Sequence, residues 1–286
     1  MNRFAALALI LVLAACNPAP REVVTPALWE VTGDHGERAW LLGTIHALPA
    51  PVKWRSAQVE AALAGSDRLV LEIADIDDQQ ALAKIYARLA ASPGLPPLDT
   101  RVPPPLRSQL LALMHEFKLD PGQFGETETW AAALTIANAA QAEANADFGI
   151  DREILRAAKG KPVEELEGAA AQLGLFDALP EAEQRDLLAA IVIEAAQDTG
   201  EDRLGNAWRK GDMVVLEAET RSGMMADPEL HQALLTDRNN AWANRLSAML
   251  AQGARPLVAV GALHLAGQEG LPAQLAARGY KVRRLQ

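Results

Sequence analysis

A strand-like segment that ends in Gly-x-x-His occurs twice in this chain of 286 residues, and it constrains the fold more than any other feature. "RAWLLGTIH" places Gly43 three residues before His46, and "RPLVAVGALH" places Gly261 three residues before His264. A helical pattern, a glycine and a second strand-like segment follow each unit. Strands joined in this order are parallel. We therefore predict an α/β (or α+β) fold in which two βαβ-like half-units form one central sheet.

A long helical stretch separates the two half-units. Residues from about 106 to 252 are rich in alanine and have helical spacing, and a short predicted strand within them leads to Glu167. We predict that this stretch is a helical insertion within one domain that covers residues 28–286. Apolar residues make up 50% of the chain, which is enough to bury a core in a domain of this length.

The start of the chain has the pattern of a bacterial lipoprotein leader. The apolar run from Phe4 to Ala15 is too short to cross a bilayer as a helix, but it suits a signal peptide. The lone cysteine, Cys16, ends "LAAC", which resembles a lipobox whose cysteine is lipidated. We predict a signal peptide over residues 1–16, a tether over 17–27 and a lipid anchor in the cell envelope. The aspartate that signals inner-membrane retention does not follow the cysteine, so an outer-membrane protein facing the periplasm is expected.

Composition and missing motifs exclude several classes of function. The net charge is −10 and no basic cluster is long enough to follow a phosphate backbone, so nucleic acid is not an expected partner. A single cysteine excludes an internal disulfide. The chain has no GxSxG, P-loop or GxGxxG motif, and His115 lacks the second histidine of an HExxH helix.

The paired histidines are the leading candidates for chemistry. Functional groups in an open parallel sheet gather beyond the carboxyl ends of the strands. We expect Gly43 and Gly261 to allow sharp turns there, which would bring His46 and His264 to the same edge as Glu72, at the end of the next predicted strand. Two imidazoles and a carboxylate suit a divalent metal such as Zn²⁺, Mn²⁺ or Co²⁺, which would activate a bound water.

Other interpretations of the same residues stay open. The histidines could act without metal as general base and electrostatic stabiliser, or they could be structural. Glu167 ends the third predicted strand at the same edge. Asp151 either caps its helix or lies at the edge of the site. Arg238 and Asn239 either lie on a solvated helix face or reach a carboxylate or an oxyanion. His231 is expected on a helix surface.

Several segments together resemble the TraB/GumN family, which is similar to the Tiki proteases and, more distantly, to erythromycin esterases. The resemblance runs from about Leu28 to the C-terminus. The segments that carry it are "LLGTIH", "LVLEI", "GID", "VEELEG", "LLTDRNNAWANRL" and "VAVGALHLAGQEGLPAQLAARGYKV".

The Tiki branch of this resemblance implies a metal-dependent, membrane-anchored protease. By that resemblance His46, His264 and Glu72 would hold the metal or activate water directly, with Glu72 also catalytic. Arg238 would stabilise negative charge on the tetrahedral intermediate. The resemblance adds three secondary catalytic candidates, which are Asp151, Glu167 and Asn239.

The function expected from the sequence is therefore a peptidase-like, metal-dependent hydrolase of the cell envelope. Its substrate would be a peptide or a small secreted molecule. The alternative is a protein that binds or sequesters such a ligand without cleaving it, and a third possibility is a scaffold whose histidines only stabilise the fold. The sequence leaves the oligomeric state open, as well as whether the helical insertion covers the site.

Overall fold

The core of the molecule is a six-stranded mixed sheet flanked by helices, which confirms the predicted α/β class. The computed structural model describes residues 21–141, 144–158, 160–196 and 202–286. The strands are β1 (Leu28–Thr32), β2 (Arg38–Thr44), β3 (Arg68–Leu71), β4 (Val163–Glu165), β5 (Pro256–Gly261) and β6 (Lys281–Arg284). Their spatial order is β4-β3-β5-β2-β1-β6.

Helices make up most of the remainder of the described chain. Several begin at a serine or aspartate whose side chain accepts a hydrogen bond from a backbone N–H of the first turn, as helix N-caps do. The α-helices are α1 (Ala57–Gly65), α2 (Gln79–Leu89), α3 (Arg107–Glu116), α4 (Thr129–Ala140), α5 (Ile150–Ala157), α6 (Ala169–Asp177), α7 (Glu181–Ala196), α8 (Arg203–Lys210), α9 (Met213–Glu219), α10 (Pro228–His231), α11 (Asp237–Ala251) and α12 (Leu271–Ala277). A π-helical turn, Gln232–Thr236, joins α10 to α11.

The sheet is buried on both faces because successive strand residues point to opposite sides. In β2, Trp40 and Leu42 pack into a core that also holds residues of α1, α5 and α8. Their neighbours Ala39 and Leu41 pack into a second core, which α11 and α12 cover. The four strands β4, β3, β5 and β2 are parallel, so their carboxyl ends meet at one edge.

The two half-units interleave in the sheet. β2 and β3 both run parallel to β5, as predicted for a βαβ unit, but they are not neighbours because β5 of the second half-unit lies between them. β6 pairs with β1, beyond β2. This interleaving brings the ends of β2 and β5 side by side, with Thr44 opposite Gly261.

Part of the predicted helical insertion forms a separate hydrophobic core, the helical core, which also includes Leu98 from before residue 106. The rest of the insertion belongs to the sheet: α5, α8 and α11 pack on its two faces, and β4 is one of its strands. Trp130, Leu188 and Leu110 are fully buried in this helical core, which is built mainly by α3, α4 and α7. The chain enters the helical core from the carboxyl ends of β3 and β4, through α2 and α6. The helical core is therefore attached at the edge of the sheet where the functional residues were predicted.

Part of the predicted tether is packed against the domain. The backbone N–H of Val24 donates to the carbonyl of Lys53 (3.0 Å), and that of Thr25 donates to Arg209 (2.8 Å). Val24 and Ala27 are buried. The tether prediction is therefore wrong for this stretch, while the predicted signal peptide and Cys16 lie outside the described residues. Within the described ranges, no helix combines the length and the apolar character that crossing a membrane requires.

A glycine lets α5 dock against the segment that follows β2. The N–H of Ile150 donates to the carbonyl of Ile45 (2.9 Å). A Cβ on Gly149 would lie only 2.0 Å from the carbonyl oxygen of His46, so no side chain fits at this position. This close approach carries Asp151, in the first turn of α5, towards His46.

We expect Gly149→Ala to destabilise the protein by about 3 kcal/mol, because the new Cβ would push α5 away from the backbone at His46. Gly174→Ala is the matched control, since a Cβ there meets nothing within 4 Å inside α6. That change should stabilise the protein by about 0.5–1 kcal/mol. Urea unfolding measures both. Equal effects of the two substitutions would contradict the described docking of α5.

Candidate functional site

Arg238 lies at the centre of the carboxyl edge of the sheet, with its side chain only 10% exposed. Its Nε donates to Glu167 (3.1 Å), and its Nη2 donates to Glu72 (2.8 Å) and Glu167 (2.5 Å). Its Nη1 donates to the carbonyl of Leu234 (3.1 Å) and contacts Nε2 of His264 (3.0 Å). All five N–H groups of the guanidinium are therefore used inside the protein.

The two carboxylates that hold Arg238 come from adjacent strands. Glu72 follows β3 by one residue, and its carbonyl accepts the N–H of Glu167, which follows β4. The Glu72 carboxylate also accepts the N–H of Gly261 (2.7 Å) and the side-chain amide of Gln172 in α6 (3.1 Å). Glu72 thus connects three of the elements that surround the site.

The surroundings shift the pKa values of Glu72 and Glu167 in opposite directions. Burial opposes ionisation of Glu72, but the electrostatic effects of His264, His46 and Arg238 and the hydrogen bond from Gly261 outweigh it, so the pKa of Glu72 is lowered. Burial dominates at Glu167 and raises its pKa, in spite of its bonds to Arg238. Glu72 is thus held as a carboxylate beside the histidines.

His264 is buried and fixed at both ring nitrogens. Its ring lies 4.4 Å from that of Trp242. Nδ1 is 2.8 Å from the side-chain oxygen of Asn239, whose amide nitrogen donates to the carbonyl of Glu269 (2.8 Å). The oxygen of Asn239 must therefore accept from Nδ1, and Nε2 is left unprotonated to accept from Arg238. Burial lowers the pKa of His264 to about 3, so this ring is neutral at pH 7.

His46 has the opposite surroundings. Its side chain is 69% exposed, and Nδ1 lies 2.8 Å from Oδ2 of Asp151. Thr44 donates its hydroxyl to the other oxygen of Asp151 (2.6 Å). Asp151 raises the pKa of His46 above its ordinary value, although solvent around the exposed ring weakens the effect. Nε2 makes no hydrogen bond within the described part of the chain.

The two histidines meet around Gly261. A Cβ on this glycine would lie 3.3 Å from Oε1 of Glu72, 3.7 Å from Nε2 of His46 and 3.8 Å from Cδ2 of His264. Imidazoles from the two Gly-x-x-His units and the predicted acid therefore surround one small space. This space is open to solvent on the side of His46, whose side chain is the exposed one of the three.

The two glycines of the repeated motif do not make the sharp turns that we predicted. Gly43 lies within β2, and Gly261 ends β5 with a φ of −48°, a conformation open to any residue. Their role is to leave space. A Cβ on Gly43 would lie 3.2 Å from Cβ of Ala262, and a Cβ on Gly261 would fill the space between the site residues.

The structure decides between the alternative roles that the sequence left open for Asp151 and Arg238, and it corrects the prediction for His231. Asp151 bonds to His46 and Thr44, so helix capping alone does not account for it. Arg238 reaches carboxylates as one reading proposed, but no N–H is left for an oxyanion in this arrangement. His231 is not a surface residue, because its ring is 17% exposed and lies between protein partners.

Sequence reasoning missed several residues that support the site. Thr44 could have been found, because it lies two positions before His46 along an extended segment and therefore on the same side. Gln172 and Glu269 carry no local signal. Gln172 lies in an alanine-rich helix, and Glu269 lies in the short connection before α12.

The predicted metal ligands do not fit a metal ion in this arrangement. The only bare nitrogen of His264, Nε2, faces the Arg238 cation 3.0 Å away, so a divalent ion there would displace or repel the guanidinium. Among the described residues, the group of three or more His, Cys, Asp or Glu side chains whose ligand atoms all lie within 4.8 Å of one another is Glu183, Asp227 and Glu229, which shares no residue with this site. Metal binding by this chain stays a prediction.

An open apolar groove borders the site. It has a volume of about 450 Å³ and lies between α6, α11 and the segment after β4. No residue of α6 is fully buried, although the helix carries only one charged side chain, Asp177. Arg238 and Glu167 form the polar end of the groove, and its apolar lining comes from Leu166, Leu175, Ala178, Leu179, Ala233, Ala241 and Trp242.

Comparison with known proteins finds a family model and two curated relatives that match most of this chain. The model of the TraB/PrgY/gumN family matches residues 27–284. The uncharacterized protein YbaP of Shigella flexneri is 29% identical over 262 residues, which cover 87% of this chain and 92% of YbaP. YbaP of Escherichia coli (strain K12) is also 29% identical, with coverage of 82% and 86%. No solved structure matches this chain.

We expect Arg238→Met to cost about 3–5 kcal/mol of stability, because it leaves the buried carboxylates of Glu72 and Glu167 without their cation. Adding Glu167→Gln should recover part of the loss. Arg245→Met is the matched control on α11. The one hydrogen bond that the Arg245 side chain makes to described residues goes to the carbonyl of Leu166, so its loss should cost less than about 1 kcal/mol. Urea unfolding tests this, and equal losses for both arginines would contradict the network.

We expect His46 to titrate with a midpoint above 6.5, because the Asp151 carboxylate favours its protonated form. Asp151→Asn removes that charge and should move the midpoint down. NMR spectra of the ring protons between pH 5 and 10 measure both, with the His115 resonance as an internal reference. A midpoint at or below 6.5 in the unaltered protein would show that the Asp151 pair does not control this ring.

Proposed function

Because the chain belongs to the TraB/PrgY/gumN family, we propose that it is a hydrolase of the cell envelope that cleaves an amide or ester bond with His46 as its proton-transfer group. The observation that carries this proposal is the arrangement of the two ring nitrogens of His46. Its Nε2 faces the open space beside Glu72, while Asp151 and Thr44 support Nδ1 from behind.

This geometry suits general acid–base catalysis. The bond from Nδ1–H to Asp151 fixes the tautomer of neutral His46, so that Nε2 can accept a proton from water. The oxygen of that water attacks the carbonyl carbon, and the protonated ring then gives the proton to the leaving nitrogen or oxygen. Arg238 has no free donor for this reaction. It acts by keeping Glu72 ionised, and that charge favours the protonated form of His46.

The groove beside Arg238 supports a substrate with an apolar part. Its volume of about 450 Å³ lies in the range of small-molecule sites. Its lining consists of apolar side chains, two acids, Glu167 and Asp237, and one cation, Arg238. The charge of Arg238 is neutralised by its ion pair with Glu167. A neutral or basic peptide, or a small secreted molecule with an apolar group, fits this chemistry. The lipobox-like start of the chain would place the reaction at the outer membrane, facing the periplasm.

A second candidate function is ligand binding without cleavage. The observation that favours it is that Arg238, the expected oxyanion stabiliser, has every N–H engaged. In that case the same groove and His46 would hold a peptide by contacts alone. Mass spectrometry separates the two functions, since a binding protein returns its ligand intact.

We expect the purified protein to cleave members of a peptide and ester library, and His46→Gln to lower kcat/KM by about 10²–10⁴-fold, the usual worth of a positioned acid or base. Gly261→Ala should also lower it, because its Cβ would enter the space between His46 and Glu72. His115→Gln, at a histidine of α3, is the matched control and should leave the rate unchanged. Liquid chromatography with mass spectrometry measures the products.

The same assay is run after chelation and with added Zn²⁺, Mn²⁺ or Co²⁺, and the metal content of the purified protein is determined. Activity that survives chelation supports proton transfer by His46 alone, whereas activity only with one of these ions supports the metal-dependent prediction. Cleavage that does not change with His46→Gln would overturn the proposal, as would recovery of every bound library member intact.

A further inference from the structure

We infer that Glu269 is a positioning residue of this site, which fixes the tautomer of His264 through Asn239 and so completes the hydrogen bonds of Arg238. The importance of that tautomer for catalysis rests on the proposed function, but the tautomer itself is a property of the folded chain. The hydrogen bonds of Glu269 go to Asn239, Thr236 and His231 and not directly to His264 or Arg238, and Glu269 lies in the connection between β5 and α12. A chain of three contacts links Glu269 to Arg238, by way of Asn239 and His264.

The first step is the orientation of the Asn239 amide. Asn239 is fully buried, and its side chain lies between the carbonyl of Glu269 and Nδ1 of His264. A backbone carbonyl can only accept a hydrogen bond, so the NH₂ of Asn239 must face it. The oxygen of the amide then faces Nδ1 of His264, which must carry the proton.

The second step is the effect on Arg238. With the proton on Nδ1, the Nε2 lone pair of neutral His264 accepts an N–H of Arg238 at 3.0 Å. With the proton on Nε2, two donors would face each other in a buried space. The carbonyl of Glu269 therefore determines whether the fifth N–H of Arg238 has a partner, and an unpartnered buried donor is costly.

The third step is what holds the carbonyl of Glu269 in place. One side-chain oxygen of Glu269 accepts the hydroxyl of Thr236 (2.9 Å), and the other lies 2.8 Å from Nε2 of His231. Nδ1 of His231 contacts the carbonyl of Thr220 (2.9 Å). The hydrogen bond with His231 lowers the pKa of Glu269, which stays a carboxylate. Two bonds thus tie the Glu269 loop to α10 and the π-helical turn.

The geometry gives Glu269 and His231 a role that no local sequence pattern suggests. They hold the backbone that orients the amide, the amide selects the tautomer, and the tautomer supplies the acceptor for Arg238. Removal of the Glu269 side chain would free its carbonyl to move away from Asn239. His264 would then have two tautomers available instead of one.

The test is the tautomer itself, read from long-range ¹H–¹⁵N correlation spectra of the histidine rings of the full chain at pH 7, with His264→Gln to assign the signals. We expect His264 to be protonated at Nδ1 and bare at Nε2. Glu269→Ala should lower the ratio of the Nδ1–H to the Nε2–H form at least about fivefold, roughly the worth of one hydrogen bond. Glu269→Gln, which can still accept from Thr236, should keep more of the original ratio.

Glu229→Ala removes the same charge from an exposed position of α10 and is the matched control, which should leave the His264 signals unchanged. If Glu269→Ala does not fold, Thr236→Val removes one of the two bonds and should lower the ratio by a smaller factor. An unchanged His264 pattern in a folded Glu269→Ala or Thr236→Val protein would overturn the inference. So would an Nε2–H ring in the unaltered protein. These spectra need no substrate, so the result is independent of hydrolysis.

Discussion

The buried guanidinium of Arg238 is the interaction on which the carboxyl edge of the sheet depends. It binds the acids that follow β3 and β4, the histidine that follows β5 and a carbonyl of the π-helical turn. A buried cation of this kind adds little net stability, yet it becomes very costly if one partner is lost. Only a planar group with five donors can satisfy this set of acceptors, so lysine is not an equivalent residue here.

The two Gly-x-x-His units show how burial separates residues that look alike in sequence. His264 is enclosed by Trp242, Asn239 and Arg238, which makes it neutral and leaves no nitrogen for a ligand. His46 is open to solvent, has a carboxylate at one nitrogen and leaves the other nitrogen unused within the described residues. One histidine therefore organises the site and the other faces whatever enters it.

The sequence predicts the ends of the strands well because each end is a local pattern. The α/β class and the placement of His46, Glu72 and His264 at one edge follow from such patterns. The position of β5 between β2 and β3 does not, because pairing between distant strands is decided by the whole sheet. The ring of His231 contacts Glu269, which is 38 residues away, and no local sequence period predicts such a contact.

The predicted metal set illustrates the same limit. Residue types and shared edge were enough to suggest three ligands, but the direction of each lone pair depends on partners from other elements. Arg238 faces the nitrogen of His264 that a metal would need. The spacing of the motif contains no information on this competition.

The π-helical turn gives α10 and α11 different rotational phases. Leu230 and Leu234 point into the helical core, while Trp242 and Leu246 point into the core of the sheet. A π turn holds more residues than an α turn, so the wider stretch Gln232–Thr236 rotates one part of this continuous rod relative to the other. The rod thus belongs to both hydrophobic cores at once, and the turn that joins its two parts ends directly before the segment that carries Arg238.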